Sequence, residues 1–407
     1  MKNMEELPLI KISVRNLVEF IFRSGDIDNR TSASQRADAM QEGSRMHRKI
    51  QRRMGASYQA EVPMKIQIET GKYILTVEGR ADGVIQKETA VIDEIKGVFF
   101  HLERLQEPVF VHKAQAMCYA YIYAKQQNLD RIGVQITYCN LDTEEIRRFS
   151  EEFLFSQLEE WFEDLIRQYK KWANFQFEWK KTMTESVRGL EFPYRYRDGQ
   201  KELAKDVYRT VFRRKNLFIQ APTGTGKTLS VLYPAIKAAG EGLCDKIFYL
   251  TAKTITQTVA KETCAVFLAQ GYRAKVIQIT AKEKMCFCEE TDCNPIYCPY
   301  ARGHYDRVNE AVYDLLQKED FFTRETLLAQ AEKFQVCPFE MCLDTAVWCD
   351  DIICDYNYAF DPNVHLKRFF QKGRKGIMFF WWMKRTIWWN AAERCTAQSF
   401  VKKIFWI

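Results

Sequence analysis

The 407-residue sequence has no run of about 18 apolar residues, so no membrane-spanning helix is expected. Its first residues, MKNMEELPLIKISV, lack a basic stretch followed by an apolar core. A secretory leader is therefore not expected, and the cytoplasm is the expected location. Internal repeats and low-complexity tracts are missing too, which argues against solenoids and biased linkers. Charge of one sign does not dominate: a net charge of +7 is a mild bias toward polyanions and does not by itself identify nucleic acid as a partner. What remains is ordinary for a globular protein, 47% hydrophobic and 28% charged, and long enough for two or three domains.

The cysteines are unevenly placed. Of 13, eight fall between 286 and 354: Cys286, Cys288, Cys293, Cys298, Cys337, Cys342, Cys349 and Cys354. In a reducing compartment such clustering points to metal or iron–sulfur ligation rather than disulfides. The other five are scattered and are expected to be small buried hydrophobes.

Periodicity divides the chain. Residues 13–60 are expected to be helical, with a charged run around Arg45–Arg53. Between 61 and 96 the segments EVPMKIQIE, KYILTVEGRADGVI and AVIDEIK have the alternation of strands. A helix is expected at 111–128, a strand at 132–139 and a long amphipathic helix at roughly 149–174; 176–193 lacks a clear period and is expected to connect two domains. From 194, strands near 216–220 and 246–251 flank a helix, an order that favours parallel strands with helical crossovers.

Between the first of those strands and its helix lies Ala-Pro-Thr-Gly-Thr-Gly-Lys-Thr, 221–228. Gly224 and Gly226 would let backbone N–H groups, including that of Thr225, curl around phosphates; Lys227 is expected to reach the outer phosphates and Thr228 to hold the accompanying Mg²⁺. Upstream, Arg197 and Gln200 lie in YRYRDGQ, and a Gln amide offers the donor and acceptor that suit an adenine edge. Downstream, Thr251-Ala-Lys253-Thr254 follows a strand. These motifs resemble those of superfamily-2 helicases, which commonly carry Ala at the first position of the loop. The resemblance implies ATP binding at 221–228 and contact of the 251–254 hydroxyls and Lys with DNA phosphates.

Lys284-Met-Cys286, Cys293-x4-Cys298-Pro and Val336-Cys337-Pro-Phe-Glu340 follow in order. Their layout resembles the iron–sulfur helicases related to the xeroderma pigmentosum group D protein and to DinG. That likeness implies a 4Fe–4S cluster on Cys286, Cys293, Cys298 and Cys337, with Cys288 competing for the first place. Zinc is the rival, although paired Cys-x2-Cys knuckles are absent. Residues 351–362, DIICDYNYAFDP, resemble the strand and turn that precede the DEAH box in these helicases.

The N-terminal region carries His47, Asp82 in GRADG, Glu94 and Lys96 in VIDEIKG, then Gln115 and Tyr119. Two acidic groups on neighbouring strands can hold divalent cations, and Lys96, two residues after Glu94, shares its strand face. The succession resembles PD-(D/E)XK nucleases of the RecB-like group over about residues 13–140. It implies catalysis by Asp82, Glu94, Lys96 and Gln115, with His47 as an added metal ligand and Gln115 and Tyr119 contacting DNA or orienting Lys96. No Pro precedes Asp82, and Asp93 beside Glu94 leaves the ligand choice open.

The expected DEAH box does not follow Pro362. The chain continues GIMFFWWMKRTIWWNAAERCTAQSFVKKIFWI, with five of its nine Trp. Trp and Met have single codons, so Phe380-Trp-Trp-Met-Lys384 read from the third base of each codon gives Leu-Val-Asp-Glu. With permitted codons onward, the overlapping sequence is compatible with VFLVDEAHNLVE. A frameshift near Gly376–Met378 is therefore expected, and with it a chain truncated before its hydrolytic carboxylates and second lobe, weak in ATP hydrolysis and unwinding.

The expected fold is α/β: a PD-(D/E)XK restriction-endonuclease-like domain at 1–175, a linker at 176–193, and a partial RecA-like P-loop helicase lobe at 194–370. A Cys-rich iron–sulfur insertion is expected at about 280–345 and an aberrant tail at 371–407. Expected cofactors are ATP, Mg²⁺ or Mn²⁺ and a 4Fe–4S cluster; the expected partner is single-stranded or forked DNA, with no membrane. The alternatives are a DNA-gripping module with an inactive nuclease fold, and a zinc-bound nucleic-acid protein that binds ATP without motor function.

Overall fold

Ser13 ends the first strand and starts the first helix, its hydroxyl accepting from Asn16 N at 3.1 Å, a side-chain N-cap. From there the chain folds into two units, Met1–Phe177 and Glu178–Ile407, in a computed structural model that describes residues 7–30, 39–222, 224–252, 254–361, 364–370 and 377–382.

The first unit runs β1 (Leu9–Ser13), α1 (Val14–Ile21), α2 (Ala39–Arg53), β2 (Tyr58–Glu69), β3 (Ile74–Ile85), β4 (Val91–Val98), α3 (Phe110–Gln127), β5 (Arg131–Asn140), β6 (Ile146–Leu154) and α4 (Phe155–Arg188), which continues past it. Its sheet has the order β1-β3-β4-β5-β6, with β2 also paired to β3. β1 with β3 and β4 with β5 are parallel; the other pairs are antiparallel. Met46 and Ile50, one turn apart on α2, pack with Ile95, Cys139 and Leu141, which fixes α2 beside β4 and β5. α3 ends at Asn128, whose φ of 52° is the left-handed conformation that Asn tolerates as a helix stop.

The second unit runs α5 (Gln200–Arg213), α6 (Lys227–Gly240), β7 (Lys246–Thr251), α7 (Thr254–Ala269), β8 (Val276–Gln278), α8 (Lys282–Met285), α9 (His304–Lys318), β9 (Phe321–Phe322), α10 (Arg324–Phe334), α11 (Pro338–Ala346), β10 (Asp351–Asp355), α12 (Asn357–Phe360), α13 (Lys367–Phe370) and β11 (Met378–Trp382). The sheet order is β11-β7-β10-β8-β9, every pair parallel. Buried residues of α6 and α7 pack on Ile247, Tyr249 and Ile353, forming the core of this layer. The fold class is α/β with parallel strands. Among the described residues no helix is long and apolar enough to cross a membrane.

Several elements differ from the sequence expectation. Within 13–60, α1 and α2 are helical, but β2 already begins at Tyr58, and 31–38 lie outside the described residues. The helix expected from 149 begins at Phe155, because 146–154 pairs residue for residue with β5 and those ladder bonds override the helix propensity of its glutamates. The connector expected at 176–193 is helical to Arg188. Met183 and Val187 are buried four residues apart, a helical stripe that its mixed Trp, Lys and Thr content concealed. The strand expected at 216–220 is not formed: Phe218 is 76% exposed, and the segment joins no ladder of the described sheet. Short apolar alternation specifies a strand only where a neighbour accepts its hydrogen bonds. Of the tail expected to be aberrant, Met378–Trp382 forms β11, beside β7, and 371–376 and 383–407 lie outside the described residues.

Candidate functional site

In the first unit the candidate residues are drawn together from four elements. α2 supplies His47, β3 Asp82, β4 Glu94 and Lys96, and α3 Gln115. His47 Nδ1 lies 3.6 Å from Asp82 Oδ1, and Asp82 Oδ2 accepts the backbone N–H of Ile95 at 2.7 Å. Lys96 Nζ lies 2.9 Å from Glu94 Oε1 and donates to Gln115 Oε1 at 3.0 Å. Glu94 is 2% exposed, and its Oε2 is buried with no hydrogen-bond partner among the described residues. Burial, reinforced by the charge of Asp82, pushes its carboxyl up to about 7 despite Lys96. Burial alone would lower His47, but the hydrogen bond and charge of Asp82 outweigh it and raise the imidazole.

Asp93 is separated from this group. Successive strand residues face opposite sides of the sheet. Its carboxylate takes Thr137 Oγ1 at 2.6 Å, Gln135 Nε2 at 2.9 Å and Tyr58 Oη at 3.2 Å, and is fully buried. Tyr119 stands against Gly79, where an added Cβ would come within 2.5 Å of its Oη, so the glycine of GRADG makes room for that phenol. Sequence reasoning missed Tyr58, His112 and Tyr138; the spacing of His112, three residues before Gln115 on one helix, was the available signal.

In the second unit, α6 starts at Lys227 directly after Gly226, whose φ is 70°. Arg197, Gln200, Gly224, Gly226, Lys227 and Thr228 line one cavity of about 510 Å³. Arg197 Nη1 donates to Gly224 O at 2.6 Å, and Gln200 Nε2 to Thr225 O at 2.9 Å, while Gln200 Oε1 accepts from Arg197 N at 2.8 Å. Thr225 Oγ1 donates to Pro222 O at 3.0 Å, which closes the loop on itself. Lys227 Nζ donates to Ala221 O at 2.9 Å and Pro222 O at 2.5 Å, and Thr228 Oγ1 lies 3.2 Å from Tyr249 Oη. Phe192 also lines the cavity and stacks on Tyr196, centroids 4.1 Å apart, a feature the sequence pattern did not disclose. Thr223 and Lys253 lie outside the described residues. Thr251 is fully buried, with its hydroxyl donating to Cys354 O at 3.4 Å.

Cys293 and Cys298 are buried, and Cys286, Cys288 and Cys337 partly so. Cys288 Sγ lies 3.9 Å from Cys298 Sγ, and burial with its neighbours Cys298 and Cys286 raises its thiol to about 11. Burial raises Cys337 to about 12, and Cys293 hydrogen-bonds Lys282. Cys342, Cys349 and Cys354 are core thiols. Among the described residues no group of three or more His, Cys, Asp or Glu side chains is gathered closely enough to hold a metal ion.

No family model matches the chain. A segment of 47 residues, 11% of the chain, is 43% identical to a protein of Methanocaldococcus jannaschii named "Probable ATP-dependent helicase", of which it covers 7%. A solved structure titled "Crystal structure of SSO0001" aligns with 39% of this chain and 75% of its own at 19% identity and a TM-score of 0.28, and at that score the likeness carries no argument. The segment match supports a helicase relationship for this chain.

Proposed function

We propose that the second unit is the nucleotide-binding lobe of an ATP-dependent DNA helicase of the iron–sulfur type, fused to a metal-dependent PD-(D/E)XK nuclease unit. The observation that carries the first half is the cavity shared by Arg197, Gln200, Gly224, Gly226, Lys227 and Thr228, two motifs 24 residues or more apart in sequence that meet around one space. The first positive-φ glycine and the helix N-terminus present backbone N–H groups to phosphates, Lys227 neutralises them, and Thr228 would hold Mg²⁺. Arg197 and Gln200 brace the loop through its carbonyls, which fixes its shape before nucleotide enters.

For the first unit, the buried and unpartnered Glu94 Oε2 fits a cation, and its donor chemistry with Asp82 and His47 suits Mg²⁺ or Mn²⁺; the side chains do not close around one as they stand. His47, Asp82 and Glu94 would hold the ion, which supplies Lewis acidity to a phosphodiester. Lys96, steered by Gln115, then faces the reacting phosphate and stabilises its developing charge. Cys286, Cys293, Cys298 and Cys337 would hold a 4Fe–4S cluster, with Cys288 beside Cys298 as the competing ligand.

Two measurements test the reading on the full chain. Mant-labelled ATP should bind, and Lys227→Ala should abolish the binding. Mn²⁺-dependent cleavage of a single-stranded oligonucleotide should disappear in Lys96→Ala; cleavage retained in that variant would exclude this site.

A further inference from the structure

Tyr138 is the register partner of Lys96 across the parallel strands β4 and β5, so the two side chains stand on one face of the sheet. α3 covers that face and sends one side chain to each. Gln115 Oε1 accepts from Lys96 Nζ at 3.0 Å; three residues earlier, His112 Nδ1 lies 2.9 Å from Tyr138 Oη, with the rings 5.7 Å apart. His112, Gln115 and Tyr119 are spaced by three and four residues and so form a single stripe of the helix.

The backbone N–H of Val109 donates to Tyr138 Oη at 2.9 Å, and the phenol keeps a proton of its own that it can give to His112 Nδ1. In that arrangement the imidazole carries its hydrogen on Nε2. Burial, with the charges of Lys96 and Arg15 adding to it, holds His112 down to about 4, so the ring is neutral at physiological pH. Nε2 has no partner among the described residues, and the residue is half-buried rather than enclosed. A neutral imidazole thus stands on Tyr138, the register partner of Lys96, close enough to Lys96 to feel its charge.

We propose that His112 is a substrate-contacting residue of this site, its Nε2–H donating to a non-bridging oxygen of a nucleic-acid phosphodiester held beside Lys96. The inference rests on the nuclease reading of the first unit. A neutral donor suits the position: it adds a directional bond to the phosphate without a second buried positive charge next to Lys96. Tyr138 is the positioning residue that holds the imidazole in the donating tautomer.

The test uses the full chain, Mn²⁺ and a fluorescently labelled single-stranded oligonucleotide. His112→Ala is expected to lower kcat/KM by about ten- to a hundredfold, mostly through KM, because the bond is made before and during the reaction. His112→Gln, whose amide nitrogen can take the place of Nε2, is expected to recover most of that loss. Cleavage by His112→Ala at the wild-type rate overturns the proposal, and so does an equal loss in the Ala and Gln variants. Should the wild-type chain cleave nothing, the nuclease reading has failed, and anisotropy with the same oligonucleotide decides the contact alone. Binding weakened in His112→Ala and kept in His112→Gln supports it; binding unchanged in both overturns it.

Discussion

Gln200 lies so close to Gly226 that a Cβ on the glycine would come within 2.2 Å of its Nε2. Gly226 also holds a φ of 70°, whereas Gly224, with a φ of 81°, would place a Cβ in open space. Both glycines answer a conformational need, and only one answers a packing need. Gly224→Ala should cost about 1–2 kcal/mol of backbone strain. Gly226→Ala should add displacement of Gln200 and lose nucleotide affinity much more severely. Titration of the two variants with labelled ATP checks the order; equal affinities would show that Gln200 does not hold the loop.

Glu94 couples function to instability. Its buried, unpartnered oxygen and a carboxyl raised to about 7 mean that the folded unit holds a proton the unfolded chain gives up. The stability tied to this group is full below the ordinary carboxyl value and is lost as pH rises through 7. Glu94→Gln removes the charge while keeping the shape. Metal-free protein should gain about 1–3 kcal/mol at neutral pH, read as a higher melting temperature, and lose Mn²⁺-dependent cleavage altogether. A variant less stable than wild type would contradict this.

Asp351 poses the same question in the second unit. Both carboxylate oxygens are buried, and burial, with Asp350 adding to it, raises the group to about 8 against the opposing pull of Tyr272 and Lys246. Its stabilising protonated form is complete below the ordinary carboxyl value and is lost as pH rises through 8. Denaturant midpoints of this unit should therefore fall between about pH 5 and about pH 8 in wild type and fall less in Asp351→Asn.

The cysteine-rich segment makes a coloured prediction. Purified without oxygen, the chain should be brown and contain iron and sulfide. Cys293→Ser, Cys298→Ser or Cys337→Ser should bleach it, and so should Cys286→Ser, whereas Cys288→Ser should keep the colour. Bleaching by Cys288→Ser with colour kept in Cys286→Ser would reassign the first ligand to the thiol that lies 3.9 Å from Cys298. A colourless chain with stoichiometric zinc would replace the cluster altogether.

Hydrolysis should be weak even where ATP binds. β11 carries Phe380, Trp381 and Trp382 where the overlapping frame encodes the approach to Asp-Glu, so the strand beside β7 lacks the carboxylates that the resembled helicases use on Mg²⁺. DNA-stimulated ATP turnover well above background would contradict it. The gene read across codons 376–389 should show Asp-Glu-Ala-His in the overlapping frame.

Much of the candidate chemistry was legible because it is local. Gly224, Gly226 and Lys227 fall at a helix start whose backbone can take few other forms, and Glu94 and Lys96 share a strand face through the two-residue period alone. Period was less reliable where partners decide: the glutamates of 146–154 favour a helix, but β5 captures them as a strand, while 216–220 finds no ladder among the described residues. The sequence by itself determined which residue types and spacings were present, including the two motifs that line the cavity of the second unit. Tertiary structure alone decided that Asp93 turns away to Thr137 and Gln135 while Glu94 meets Lys96 through Oε1 and leaves Oε2 without a partner among the described residues. It also decided that Tyr138 stands beside Lys96 and holds His112. Those relations depend on strand register and helix docking, which bring together residues some 40 positions apart that no local pattern connects.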